Sequence, residues 1–203
     1  MSGNHTHSPD STDPAIRVEA IEALLVEAGL LESTRVDALI EKYEHDLGPL
    51  NGARVVARAW TDDAYRTRLL DDGTAAIAEL GYSGAQGEHM VVVENSDDVH
   101  NLVVCTLCSC YPWPVLGLPP SWYKSPEYRA RAVREPRAVL QEFGTEVNDD
   151  VEIRVWDSSA EIRYLVLPQR PDGTEQLAED ELVSLVSRDS MIGVRRAGAN
   201  EAT

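Results

Sequence analysis

The chain has 203 residues, 43% hydrophobic and 26% charged, which suits one ordinary folded domain with an arm or small appendage. Its net charge of −17 repels phosphate backbones, so neither nucleic acid nor an anionic membrane is expected as a partner, and the charge reads as solubility or as complementarity to a basic partner chain. No apolar run approaches a membrane span, the opening MSGNHTHSPDSTDPA has no basic-then-apolar signal layout, and the three cysteines all fall between positions 105 and 110, which argues against a disulfide scaffold and for a reducing, cytoplasmic setting.

Residues 1–14 are polar and are expected to form a disordered tail, in which His5 and His7 are incidental rather than metal ligands. Helical spacing of Ile16, Ile21, Leu24 and Leu25 predicts a first helix that stops at Gly29. Thr34 is a candidate cap for a second helix carrying Val36, Leu39, Ile40, Tyr43 and Leu47. Asn51, Thr61 and Thr74 are candidate caps for three more, over 52–60, over 62–71 and up to Gly81. Residues 15–81 therefore read as a helical arm that packs on a partner subunit, and residues 82–203 as a separate α/β domain.

The pattern then changes to β-rich runs at 89–94 and 99–105, joined by Asn95-Ser-Asp-Asp98. Tyr111-Pro-Trp-Pro114 and Gly117-Leu-Pro-Pro120 are too proline-rich for helix or central strand. Ser125-Pro126 opens a helix, Pro136 restarts it and Phe143-Gly144 ends it. Alternating strands are expected around 151–156 and 161–167, with Asp157-Ser-Ser-Ala160 as a hairpin turn between them. A closing helix is expected over 178–188. The whole is an α+β fold: a helical N-terminal arm followed by a layered α-β-β-α domain.

Every cysteine lies in Val104-Cys-Thr-Leu-Cys-Ser-Cys110. A disulfide would leave one thiol over. A redox Cys-x-x-Cys normally opens a helix, whereas Cys105 ends a strand and prolines follow too soon. A non-catalytic zinc-binding assembly module needs a fourth ligand, for which His89 or His100 is a candidate. A further reading uses the single residue between Cys108 and Cys110. If the Ser109 and Cys110 amides lose their protons, two sulfurs and two nitrogens form a planar claw, with Cys105 as an axial thiolate and one octahedral position open. Such donors stabilise a trivalent low-spin metal, Co(III) or Fe(III), and its open position can polarise a nitrile.

The motif resembles the metal-binding claw of the nitrile hydratase α subunits, cobalt branch. The similarity continues through Tyr111-Pro-Trp-Pro-Val-Leu-Gly-Leu-Pro-Pro120, Tyr128-Arg129, Val133-Arg-Glu-Pro-Arg137, Val155-Trp-Asp-Ser-Ser159 and Arg188-Asp-Ser-Met-Ile-Gly193. The resemblance implies hydration of a nitrile to its amide at one cobalt per chain. Thr106, where the iron branch usually has serine, favours cobalt over iron. It implies Cys105, Cys108, Ser109 and Cys110 as metal ligands, with Cys108 oxidised to sulfinate and Cys110 to sulfenate. Gln86, Trp113 and Thr106 would line the pocket. Cys110, Ser109, Gln86, Glu161 and Arg163 would carry or support the chemistry, the last two sharing one face of a strand, and Asp157 would lie nearby. A β subunit would supply arginines to the oxidised sulfurs in an αβ heterodimer, α2β2 or larger, and an activator protein would load the cobalt. The metal-bearing subunit of thiocyanate hydrolase is the related alternative. Read without the resemblance, Gln86 and Asp157 are turn residues, Trp113 is a core or interface tryptophan, and Glu161–Arg163 is a surface ion pair.

Overall fold

A computed structural model describes residues 14–41, 49–84, 87, 89–107 and 110–199, with side chains from residue 16 onward. The expectations for the tail before Pro14, for the second helix beyond Glu41, and for Gln86, Cys108 and Ser109 lie outside the described residues. The chain divides into two compact units, one ending at Glu41 and one beginning at Lys42.

The first unit contains α1 (Pro14–Glu27) and α2 (Ser33–Glu41). Gly29, at φ +68°, ends α1 in a turn in which Gly29 N–H donates to Val26 O and Leu30 N–H to Leu25 O. Ser33 Oγ donates to Glu22 Oε1 at 2.9 Å, linking the two helices. None of residues 16–41 is buried, and Ile16, Val18, Ile21, Leu24, Leu39 and Ile40 are exposed.

The second unit opens with α3 (Pro49–Thr61), α4 (Asp63–Asp71) and α5 (Gly73–Glu79). The caps fall on aspartates rather than on the expected threonines. Asp62 accepts from Tyr65 N–H at 2.9 Å and Asp72 from Ala75 N–H at 3.0 Å. A carboxylate complements the positive end of a helix better than a hydroxyl does. Thr61 instead bonds back to Ala57 O, and Thr74 accepts from Met90 N–H. Asn51 is not a cap either, because α3 starts at Pro49; it is buried, and its amide donates to Pro114 O at 3.0 Å. The unit boundary at Glu41 falls well before the boundary expected at residue 81. Val55, Val56 and Leu69, all 0% exposed, belong to the same core as the strands.

Strands β1 (Met90–Glu94) and β2 (Val99–Val104) form where β-branched residues crowd the chain. After α6 (Trp113–Leu116) and a 3-10 turn over Ser121–Lys124 come α7 (Pro126–Arg134) and α8 (Pro136–Glu142). Ser125 Oγ caps α7 by accepting from Tyr128 N–H at 3.1 Å, and Pro126 fits its first turn. Then follow β3 (Glu152–Asp157), β4 (Arg163–Leu167), α9 (Glu179–Val183) and α10 (Arg188–Ile192). The closing helix expected over 178–188 is two short ones, because Ser187 leaves helical geometry and caps α10 through Ser190 N–H.

The expected β3–β4 hairpin does not form. β2 and β3 pair in parallel, from Val99 opposite Glu152 to Val104 opposite Asp157. β1 and β4 also pair in parallel, from Met90 opposite Arg163 to Glu94 opposite Leu167. Ser158 N–H extends the first ladder by donating to Val104 O at 2.7 Å, so the chain leaves β3 still attached to β2. The turn then folds around a guanidinium: Arg163 Nη1 donates to the carbonyls of Ser159 and Ala160, both at 2.7 Å. Buried Asn101 joins the two pairs. It receives Trp156 Nε1–H at 2.8 Å, and its amide donates to Glu94 O and Asn95 Oδ1. Helices α4 and α5 pack on β1, α7 on β2, α8 on β3, and α10 on β2 and β4, which is the expected mixture of helix and strand. No helix among the described residues is long and apolar enough to cross a membrane.

Candidate metal centre

The cysteine loop leaves the end of β2, the end at which parallel strands commonly present ligands. Cys105 is the first residue past the ladder and is fully buried. Thr106 turns outward and is held at once by Asp157, the last residue of the partner strand. Its N–H donates to Oδ1 at 2.9 Å and its hydroxyl to Oδ2 at 2.5 Å. Asp157 is thus the anchor of the loop entry rather than the turn of a hairpin. The Thr106 hydroxyl proton is engaged there, not offered to a pocket. Leu107 then stands 90% exposed.

The loop returns at Cys110, 8% exposed, whose carbonyl accepts from the Tyr123 hydroxyl at 3.2 Å. Beyond it Trp113 N–H closes a turn onto Tyr111 O, and α6 is tied to α3 by the Asn51–Pro114 bond. Gly52 permits this approach: a Cβ there would lie 2.6 Å from Val115 O and from Met191 Sδ. Trp113 is partly buried against the core. Gly87, the neighbour of Gln86, lies against Pro114, where a Cβ would be 2.9 Å from Cγ.

Arg163 and Glu161 do not share a strand face. β4 begins at Arg163, which is buried and holds the Ser159–Ala160 turn; Glu161 sits in the preceding bend, exposed, with its N–H on Ser159 Oγ at 3.2 Å. His100, a candidate fourth zinc ligand, is 4% exposed and bonds to Gly193 O at 2.7 Å. It is the second residue of β2, five positions before Cys105, or roughly 16 Å along an extended strand. His89 is exposed, and its carbonyl accepts from Arg163 N–H.

Two residues with no sequence signal border the loop. Tyr123 is 1% exposed, and Ser158, 3% exposed, lies beside the same phenol. Burial first, and then the nearby Cys105 thiol, push the Tyr123 phenol above its usual value, so it remains a donor. Tyr123 follows Pro119-Pro120 in an irregular stretch where no periodicity marks an inward side chain.

The residues present fit a metal. Cys105 and Cys110 are buried and form no disulfide, and burying two deprotonated thiols would require a compensating cation beside them. The loop between them is fixed at both ends, by Asp157 at Thr106 and by Tyr123 at Cys110. Among the described residues no three His, Cys, Asp or Glu side chains gather.

The family model for the nitrile hydratase alpha chain matches residues 12–195. The chain is 62% identical over 180 residues to the low-molecular weight cobalt-containing nitrile hydratase subunit alpha of Rhodococcus rhodochrous, covering 89% of this chain and 87% of that one. It is 43% identical over 186 residues to the thiocyanate hydrolase subunit gamma of Thiobacillus thioparus, covering 86% and 76%. Among solved structures, a double mutant of the Fe-type nitrile hydratase from Comamonas testosteroni Ni1 is similar with a TM-score of 0.83 and 44% identity, over 95% of each chain.

Proposed function

The chain belongs to the nitrile hydratase alpha-chain family, and from that membership we propose that it is the metal-bearing subunit of a cobalt nitrile hydratase, hydrating a nitrile to its amide together with a β subunit. The observation that carries this reading is the 62% identity to a cobalt-containing α subunit over most of both chains. The two buried cysteines at the two ends of the loop after β2 support it.

In this reading Cys105, Cys108 and Cys110 bind through sulfur, and Ser109 and Cys110 also through backbone nitrogen, with Cys108 as sulfinate and Cys110 as sulfenate. When bound, trivalent cobalt supplies Lewis acidity toward the nitrile. The chain's own residues set the geometry around it. Asp157 fixes where the loop leaves β2, Tyr123 fixes where it returns, and Arg163 shapes the turn after β3. Trp113 and Gln86 border the substrate space, and the Cys110 sulfenate oxygen is a candidate nucleophile at the nitrile carbon. The exposed apolar side chains of α1 and α2 pack on the β subunit, and a loading protein delivers cobalt in a reducing, cytoplasmic setting.

Metal analysis with intact mass of the purified αβ assembly tests this. Stoichiometric cobalt and about 48 Da of added oxygen, three atoms, are expected. Unmodified cysteines with stoichiometric zinc would end the reading. The 43% identity to a thiocyanate hydrolase subunit supports a second reading, separated by assay: amide from a nitrile against carbonyl sulfide from thiocyanate.

A further inference from the structure

Two phenols lie side by side beneath the cysteine loop, with ring centroids 5.8 Å apart. Both are buried, and both donate to a backbone carbonyl. Tyr128 donates to Val103 O at 2.7 Å, inside a strand that its ladder to β3 already fixes. Tyr123 donates at 3.2 Å to Cys110 O, in a segment with neither helix nor strand geometry. Its ring stands edge-on to Tyr111 at 5.1 Å and to Trp122 at 6.0 Å, so the phenol has little freedom to follow a moving loop. Ser158, the residue that extends the β2–β3 ladder, lies beside the same hydroxyl.

We infer that Tyr123 is a positioning residue for the metal loop: its hydroxyl fixes the peptide after Cys110, and with it the direction of the Cys110 sulfur. A carbonyl held by a buried, ring-packed phenol leaves Cys110 few backbone conformations, and its sulfur can then meet a metal without the loop reordering at the moment of binding. Tyr128, the same chemistry on a carbonyl already held, contributes stability and not metal geometry. The inference rests on the metal-bearing reading of the loop.

The test uses the αβ assembly, its Tyr123→Phe and its Tyr128→Phe variants, each measured for cobalt per chain, for the sulfur-to-cobalt charge-transfer band and for thermal melting. Each variant keeps its ring and loses one hydrogen bond, so both should melt a few degrees lower. Tyr123→Phe should in addition lose at least about half of its cobalt and shift its band, while Tyr128→Phe keeps both at the parent level. Parent cobalt and an unshifted band in Tyr123→Phe overturn the inference, and so does an equal loss in Tyr128→Phe. If Tyr123→Phe does not assemble, Ser158→Ala decides, since it removes the polar neighbour of the phenol: a shifted band supports the role and a parent band overturns it. A parent assembly without cobalt or the band refutes the metal-bearing reading itself, which distinguishes that failure from this one.

Discussion

Asp157 receives both donors of Thr106, the backbone N–H on Oδ1 at 2.9 Å and the hydroxyl on Oδ2 at 2.5 Å, directly across from the last rung of the β2–β3 ladder. The cysteine loop is therefore fastened to the strand beside it before its first turn is complete.

Thr106→Ser keeps this clamp and Thr106→Val breaks half of it. The site is partly solvated, so Thr106→Val should cost about 0.5–1.5 kcal/mol, and Thr106→Ser much less. Asp157→Ala removes both acceptors and should cost more than either, with a fall in cobalt per chain. Urea melts and metal analysis on the three variants check the order.

Asn101 is 2% exposed and joins β1, β2 and β3 through one amide. Asn101→Ala leaves Trp156 Nε1–H, Glu94 O and Asn95 Oδ1 each short of a partner. A loss of about 2–4 kcal/mol is expected from the unmade bonds and the cavity together. Equilibrium denaturation measures it.

Burial holds the His100 imidazole below its ordinary range, against the bond to Gly193 O and with Arg196 nearby acting in the same direction as burial. The folded state therefore binds a proton less readily than the unfolded state. Below a pH of about 6.5 the unfolded chain gains the proton first, so this group's contribution to stability falls as pH falls, by at most about 1.4 kcal/mol per unit. His100→Gln should flatten that slope between pH 7.5 and 5.5, and an unchanged slope would falsify the assignment.

Gly193 and Gly81 both have positive φ, +93° and +83°. A Cβ on Gly193 would lie 2.0 Å from Asn101 O, while Gly81 has nothing within 4 Å. Gly81→Ala should cost about 1 kcal/mol for the backbone conformation alone. Gly193→Ala should prevent normal folding, since a strand carbonyl cannot withdraw. Soluble yield and melting temperature separate the two.

Local signals were enough to locate β1, β2, α7 and the cysteine loop, because β-branched runs, Ser-Pro caps and thiol spacing act over a few residues. The pairing of the strands was not legible in the same way. Asp157–Ala160 has the chemistry of a turn, but turn chemistry does not say which strand the chain joins afterward, and here each strand joins a distant parallel partner. The same limit misplaced Glu161: alternation puts it on the face of Arg163 only if the strand begins two residues earlier than it does. Tyr123 was invisible because a 3-10 turn among prolines carries no period. Asp157 reads locally as a turn residue, and its hold on Thr106 exists only after the chain has crossed over.

That crossover sets an order of events during synthesis. Thr106 and Asp157 are 51 residues apart, an interval of about 3–10 s at typical elongation rates of roughly 5–20 residues per second. The thiols of the loop are thus made seconds before the residue that fastens it. A nascent chain passes through a stage in which its cysteines are present and unrestrained, and only the completed β3 closes it.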